Sequence, residues 1–387
     1  MLSGQSKNVL GGREMPRRLP LRLRASSQSL EVVEPGWDVY ELLRSVDPTF
    51  EVHSESLPGF TEPLFLRCRE IGIALDASGL INAETEHLWR RHESIMTHLR
   101  NGDIQRTLPQ DGVNLFSLKV ELARRLLQRC TLCAHRCGVD RLAGERGRCG
   151  LGADATVAEH FVHIGEELPV NPSLNLSLTG CGLRCRYCQQ HTLLNPLHIV
   201  GETLEPELWS RLDMQGARAL SFVGGNPTES LAAIIAFLAA APRDWQLPVV
   251  WNCHAYETPE SLRLLDGVVD VYLPDFKYGS EACGQRLSSA PDYPETARAA
   301  VAGMLEQHVP VIVRILVLPG HFKCCHRPAL DQLAALNCPN LFVSVRGQYA
   351  PDWKITDRDS PLSRRPTREE VDLVRNIARE HGLNLVA

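Results

Sequence analysis

Apolar positions change their rhythm part-way along the chain. From Gly36 to Arg129 they recur at helical spacing. A helix is predicted over Glu84–Leu99, with Leu88, His92, Ile95, Met96 and Leu99 on one face and Asn82 as its cap. Leu118, Leu122 and Leu126 form a second stripe, and a shorter helix over Trp37–Ser45 is stopped by Pro48. These stripes read as core-facing surfaces. From Leu174 onward, short runs rich in β-branched residues appear: Leu174–Leu178, Leu220–Gly224, Val249–Cys253, Val269–Leu273, Val311–Leu318 and Leu341–Arg346, with Asn384–Ala387 as an added one. Helical stretches separate them, at Pro206–Gln215, Glu229–Ala241, Glu260–Leu265, Ala297–Gln307 and Glu369–His381.

Strand–helix alternation with largely apolar strands predicts an α/β fold, a parallel sheet with helices outside. Six units over roughly 210 residues suit an incomplete (βα)6 TIM-like barrel, or an open sheet, and either places chemistry at the carboxyl ends of the strands. The expected organisation is a basic tail (1–30), a mainly helical N-terminal extension (31–129), a Cys-rich metal-binding insert (130–170) and the partial barrel (171–387). The tail carries Arg13, Arg17, Arg18, Arg22 and Arg24. It reads as disordered, with a transit peptide or a start at Met15 as alternatives. The extension either packs on the barrel or recognises substrate.

Charge excludes more than it suggests. With 41 basic and 46 acidic residues, nothing points to nucleic acid or an anionic membrane as partner. The longest apolar run, Leu231 to Pro242, is twelve residues, too short to span a bilayer. The cysteines alter the picture. Of thirteen, seven fall within 59 residues of a long chain without a secretory signal pattern, so reduced thiols in a cytoplasm, available for metal, are expected.

The densest group is Cys181-x3-Cys185-x2-Cys188, directly after the first barrel strand. Three thiolates in eight residues can fold around one face of a cubane cluster and leave one iron open; a zinc knuckle short of a fourth ligand is the competing reading. Arg184 and Arg186 either offset cluster charge or are solvated. Upstream, Cys130-x2-Cys133-x3-Cys137-x11-Cys149 can close around a metal. Zinc and a second iron–sulfur cluster both suit four thiolates, in a structural or electron-relay role. His135 lies in that loop, as a replacement ligand or a surface residue. Cys68, Cys253, Cys283 and Cys338 read as isolated buried hydrophobes. Cys324-Cys325-His326 suggests soft-metal binding, against which neighbouring strand residues point to opposite faces.

Cys-x3-Cys-x-aromatic-Cys at the end of a first barrel strand resembles the signature of the radical S-adenosylmethionine superfamily. The resemblance implies Cys181, Cys185 and Cys188 as ligands of a [4Fe-4S] cluster and Tyr187 as the aromatic beside the adenine of S-adenosylmethionine. Phe222-Val223-Gly224-Gly225-Asn226-Pro227-Thr228 closes the second strand, where the family often has Gly-Gly-Glu-Pro meeting the methionine amino group. That implies Gly224, Gly225 and Asn226 as cofactor-binding, with Asn226 replacing the usual acid; the other reading is a turn with Thr228 capping the next helix.

Val250-Trp251-Asn252, the stretch from Leu264 through Asp275-Phe276-Lys277-Tyr278, Ala290-Pro291-Asp292-Tyr293-Pro294, and Arg314 leading to Leu318-Pro319-Gly320 resemble the pyruvate formate-lyase activating enzyme-like branch, in particular its subgroup with a four-cysteine motif upstream. The match covers about Cys130 to Tyr349. It implies Asp275 and Lys277 as catalytic groups near the methionine carboxylate and substrate, a salt bridge being the alternative, and Asn252 as a further cofactor contact. The implied activity is reductive cleavage of S-adenosylmethionine and hydrogen abstraction, with a glycyl radical enzyme, a peptide or a small metabolite as substrate and a donor such as flavodoxin or ferredoxin. An iron–sulfur electron carrier or scaffold is the non-enzyme alternative.

Overall fold

The computed structural model describes residues 62–102, 113–214 and 216–386, together with the backbone of two short antiparallel strands, Leu23–Ala25 and Leu30–Val32. The basic stretch to Leu30, apart from its residues in those two strands, and the Trp37–Ser45 helix lie outside the described residues.

Alternation along the strands sets where the polar groups go. β1 (Thr156–His163) pairs antiparallel with β2 (Ser173–Leu178) and, at its start, with the two-residue β3 (Glu202–Thr203). From β2 the sheet runs parallel through β4 (Ala219–Gly224), β5 (Val249–Cys253), β6 (Val271–Pro274), β7 (Val311–Leu316), β8 (Leu341–Arg346) and β9 (Asn384–Leu385), and it does not close. In β2 every residue is buried: Leu174, Leu176 and Leu178 face the core under the helices, while Asn175 and Ser177 line the barrel interior. Ala219, Val250, Val271, Leu273 and Ile312 plug the amino end of that interior with a separate apolar cluster. Two residues further along their strands, on the same face, stand Asn252, Asp275 and Arg314.

The expected incomplete barrel is therefore present, with differences that have local causes. The fourth barrel strand starts at Val271 rather than Val269, because Val268 and Val269 still bond back to Leu265 O at the end of helix Pro259–Leu265. Pro206–Gln215 shortens to a 3-10 turn, Pro206–Arg211, anchored by Trp209, whose ring stacks on Phe237 at 4.1 Å. Asn82 ends helix Ala77–Asn82 instead of capping the next, Thr85–Arg100, and its amide donates to Ser78 Oγ. β1 escapes the apolar pattern because it is half exposed and carries Glu159 and His160 among its apolar residues.

The N-terminal helices pack onto the barrel. Helix Leu115–Leu126, started by a capping box between Asn114 and Ser117, buries Leu118 and Leu122. Its Lys119 is fully buried and lies 2.8 Å from His92 Nε2, 3.2 Å from Leu264 O and 2.8 Å from Asp266 O. Burial lowers the Lys119 pKa, and burial together with Lys119 holds His92 well below its ordinary value, so the imidazole is the neutral acceptor. Asp270 ties the same layer down by accepting from Leu64 N (3.0 Å) and Val249 N (2.7 Å). Among the described residues no helix is long and apolar enough to cross a membrane. Lys119→Ala leaves two buried carbonyls without their donor and opens a cavity; denaturant unfolding is expected to show a loss of about 3 kcal/mol.

Candidate active site

One cavity of about 340 Å³ opens at the carboxyl ends of the strands. It is lined by Cys181, Cys185 and Cys188 from the loop after β2, by Tyr187, by the Gly224-Gly225-Asn226 turn after β4, by Asn252 on β5, and by Asp275 and Lys277 after β6. The three cysteines and the residues expected to meet the cofactor thus reach the same space, although four separate strands deliver them. Tyr349, Glu166 and Arg314 complete the wall.

The cysteine loop is held by close backbone approach. A Cβ at Gly225 would lie 2.0 Å from Gly180 O, and Gly224 adopts φ +100° with Leu178 O 2.4 Å from where a Cβ would sit. No other residue allows the two loops to touch in this way. The Cys181 thiol is raised well above its ordinary pKa by burial, then by Glu229 and by the neighbouring Cys185 and Cys188; Cys188 is pushed up to about 12 by burial and Cys185. Arg184 donates to Cys181 O (2.9 Å) and Arg148 O, and Arg186 to Lys354 O, so both bind backbone carbonyls rather than solvent alone.

Four side chains here were not apparent from spacing. Glu229 Oε1 accepts from Gly182 N (2.7 Å) and lies 3.3 Å from His254 Nε2; its Oε2 accepts from Asn226 Nδ2. His254 N in turn donates to Asn226 Oδ1 at 3.1 Å. Burial would raise the Glu229 pKa, but His254, Asn226 and Gly182 N–H hold it below its ordinary value. The acid absent at position 226 therefore stands three residues further on, at the head of an otherwise apolar helical run. Thr228 does not cap that helix; its hydroxyl accepts from Trp251 Nε1 (3.3 Å). On the opposite side a hydrogen-bonded chain runs from Tyr187 OH to Tyr278 OH (2.7 Å), to Ser288 Oγ (2.5 Å), and ends at Cys185 Sγ (2.9 Å). Tyr187 also meets the Tyr349 ring edge-on at 5.7 Å.

Lys277 Nζ donates to Asp275 Oδ2 at 2.6 Å, so the ion pair exists, but inside the cavity. Burial would lower the Lys277 pKa; Asp275 and the Cys185 and Cys181 sulfurs outweigh it and keep the ammonium charged. Arg314 bridges Glu166 (2.7 Å) and Glu167 (2.6 Å), and Arg346 reaches Glu167 at 3.0 Å, fixing the stretch before β2 across the interior to β7 and β8.

The upstream cysteine loop docks directly behind the first. Cys130, Cys133 and Cys149 are buried and Cys137 is exposed. Ala134 N donates to Tyr256 O (3.0 Å), Ser261 Oγ to Leu132 O (2.6 Å) and Arg148 Nε to Gly182 O (2.8 Å). Arg141, buried, joins Gly152 O, Glu229 O and Cys130 Sγ. His135 is half-buried: its ring meets Tyr256 edge-on at 5.0 Å, and burial pushes its pKa down to about 4.

A profile of the Radical SAM superfamily matches residues 176–333. Over 318 residues the chain is 32% identical to "Uncharacterized protein MJ0674" of Methanocaldococcus jannaschii, covering 78% of this chain and 90% of that protein. Crystal structures of Streptococcus suis SuiB, free and bound to S-adenosylmethionine, align with TM-scores of 0.37 and 0.36 at 11% and 10% identity, over 55% and 53% of this chain. The chain spans 46% and 47% of their lengths. It belongs to the radical S-adenosylmethionine superfamily. Its members are enzymes of radical chemistry that bind a [4Fe-4S] cluster and S-adenosylmethionine.

The donor set fits those cofactors. Three thiols of one short loop converge on the cavity, while the nearby Glu229 and His254 are engaged with each other and with Gly182 and Asn226. Two variants test this arrangement. Gly225→Ala is expected to force the two loops apart and cut iron retained per chain severalfold in anaerobic metal analysis. Ser288→Ala removes the hydrogen bond to the Cys185 sulfur; if that sulfur holds the cluster, redox titration should show the cluster potential falling by roughly 40 mV, the one-electron equivalent of about 1 kcal/mol, with iron content unchanged.

Proposed function

We propose that the chain reductively cleaves S-adenosylmethionine and removes a hydrogen atom from a glycyl radical enzyme at a backbone glycine. The observation that carries the cleavage reading is the convergence of Cys181, Cys185, Cys188, the Gly224–Asn226 turn, Asn252 and the Asp275–Lys277 pair on one cavity; the substrate class rests on the resemblance to the pyruvate formate-lyase activating enzyme-like branch. When bound by the three cysteines, the cluster supplies the electron that splits the sulfonium into methionine and a 5′-deoxyadenosyl radical. Lys277 meets the methionine carboxylate, with Asp275 fixing its ammonium. Asn226 is committed to Glu229 and His254, which leaves the methionine amino group to the backbone of the Gly-Gly turn. Tyr187 and Tyr349 flank the adenine, and Asn252 contributes a polar edge.

The four cysteines from Cys130 to Cys149 hold a soft metal, zinc or a second iron–sulfur cluster, in a structural or electron-relay role. A small electron carrier such as flavodoxin or ferredoxin provides the electron. None of the thirteen cysteines is in a disulfide, which suits a reducing compartment such as the cytoplasm.

Anaerobic incubation with reductant and S-adenosylmethionine should yield 5′-deoxyadenosine, and Cys185→Ala should abolish it; retained cleavage refutes the ligand assignment. Lys277→Met is expected to raise the KM for S-adenosylmethionine at least tenfold, since a buried charge-assisted contact is lost. A glycine-centred radical signal on an encoded partner supports the substrate reading. A mass change in a peptide or metabolite, with no such signal, replaces it.

A further inference from the structure

A second group of soft donors gathers at helix Glu281–Ser288, where Cys283 meets His321 and Cys324 from 38 and 41 residues further along the chain. Cys283 Sγ, His321 Nε2 or Nδ1 and Cys324 Sγ all lie within 4.8 Å of one another. The two sulfurs are 3.9 Å apart, far beyond a disulfide bond. Two thiolates on one tetrahedral zinc, each at about 2.3 Å, stand about 3.8 Å apart, so the observed separation needs almost no adjustment.

The imidazole is set for ligation. His321 Nδ1 lies 2.8 Å from Pro319 O; a carbonyl only accepts, so Nδ1 carries the proton and Nε2 keeps its lone pair. A carbonyl on the distal nitrogen is the arrangement that orients metal-binding histidines. Arg286 Nη2 is already drawn to both electron-rich atoms, 3.5 Å from His321 Nε2 and 3.9 Å from Cys283 Sγ. The local backbone explains the convergence. Phe322–His326 is a π-turn, with Cys325 N and His326 N both bonding to His321 O, so His321 and Cys324 stand on one side of it. Cys324 and Cys325 are set apart by this turn, the first exposed and the second buried. His326, the histidine of the sequence motif, faces away and accepts from Leu318 N at 3.0 Å. Cys324 faces solvent while Cys283 and His321 are buried, which provides an entry path.

We propose that Cys283, Cys324 and His321 form a binding site for a soft divalent cation of the zinc type. Binding releases the Cys283 and Cys324 thiol protons to solvent, leaves His321 neutral and displaces the Arg286 guanidinium. The site lies outside the cavity described above, which neither Cys283, His321 nor Cys324 lines.

The test uses the full chain, cluster-loaded under anaerobic, reducing conditions and equilibrated with Zn²⁺. Wild type should hold one zinc per chain more than Cys283→Ser/Cys324→Ser, with iron and sulfide equal. Peptide mapping after brief iodoacetamide treatment should show that Zn²⁺ slows alkylation of Cys283 and Cys324 together at least tenfold, and that His321→Gln loses this protection although both thiols remain. Equal zinc in wild type and the double variant overturns the proposal. So does alkylation of the two cysteines at the same rate with and without Zn²⁺, a readout that needs no variant to fold.

Discussion

A single carboxylate, Glu229, sealed from solvent between two cysteine loops, holds the site in shape. An ionised carboxyl in such a place costs several kcal/mol unless its lone pairs are met. Here they are met by the Gly182 amide, the Asn226 amide and the His254 ring, three groups from three different strand ends. The carboxylate therefore fixes the distance between the cysteine loop, the Gly-Gly turn and the end of β5 at once. Arg141 adds the upstream loop through the Glu229 carbonyl.

The barrel interior is built in two layers for a comparable reason. Aliphatic side chains alone fill its amino end. Above them, charged residues are admitted only in matched sets. Glu167 would be raised by its burial, yet Arg314 and Arg346 hold it far below the ordinary carboxylate range. Since the sheet never closes, these ion pairs do part of the work that a final ladder of hydrogen bonds would do. They fasten β7 and β8 to the segment leading into β2.

The sequence made legible what is local and repetitive. Six apolar strands can be read because buried parallel strands carry continuous apolar runs, and Cys181, Cys185 and Cys188 because ligands of one cluster sit on one loop. What escaped is either mixed in pattern or distant in the chain. β1 is a half-exposed strand whose polar residues blur its period. Glu229 meets Gly182 across 47 residues, Ser288 meets Cys185 across 103, and Cys283 meets Cys324 across 41. No spacing rule links such pairs; only the order of strands in the sheet brings them together.

Gly182 shows what this crowding entails. Its amide hydrogen points to Glu229 and its carbonyl to Arg148, and a methyl group added to it would press within 2.9 Å of both the carboxylate and the His135 ring. The two peptide groups that flank Gly182 are thus shared property of two sulfur-bearing loops that the chain places far apart. Neither can be redesigned, lengthened or transplanted alone: a change of shape in one is handed across that residue to the other.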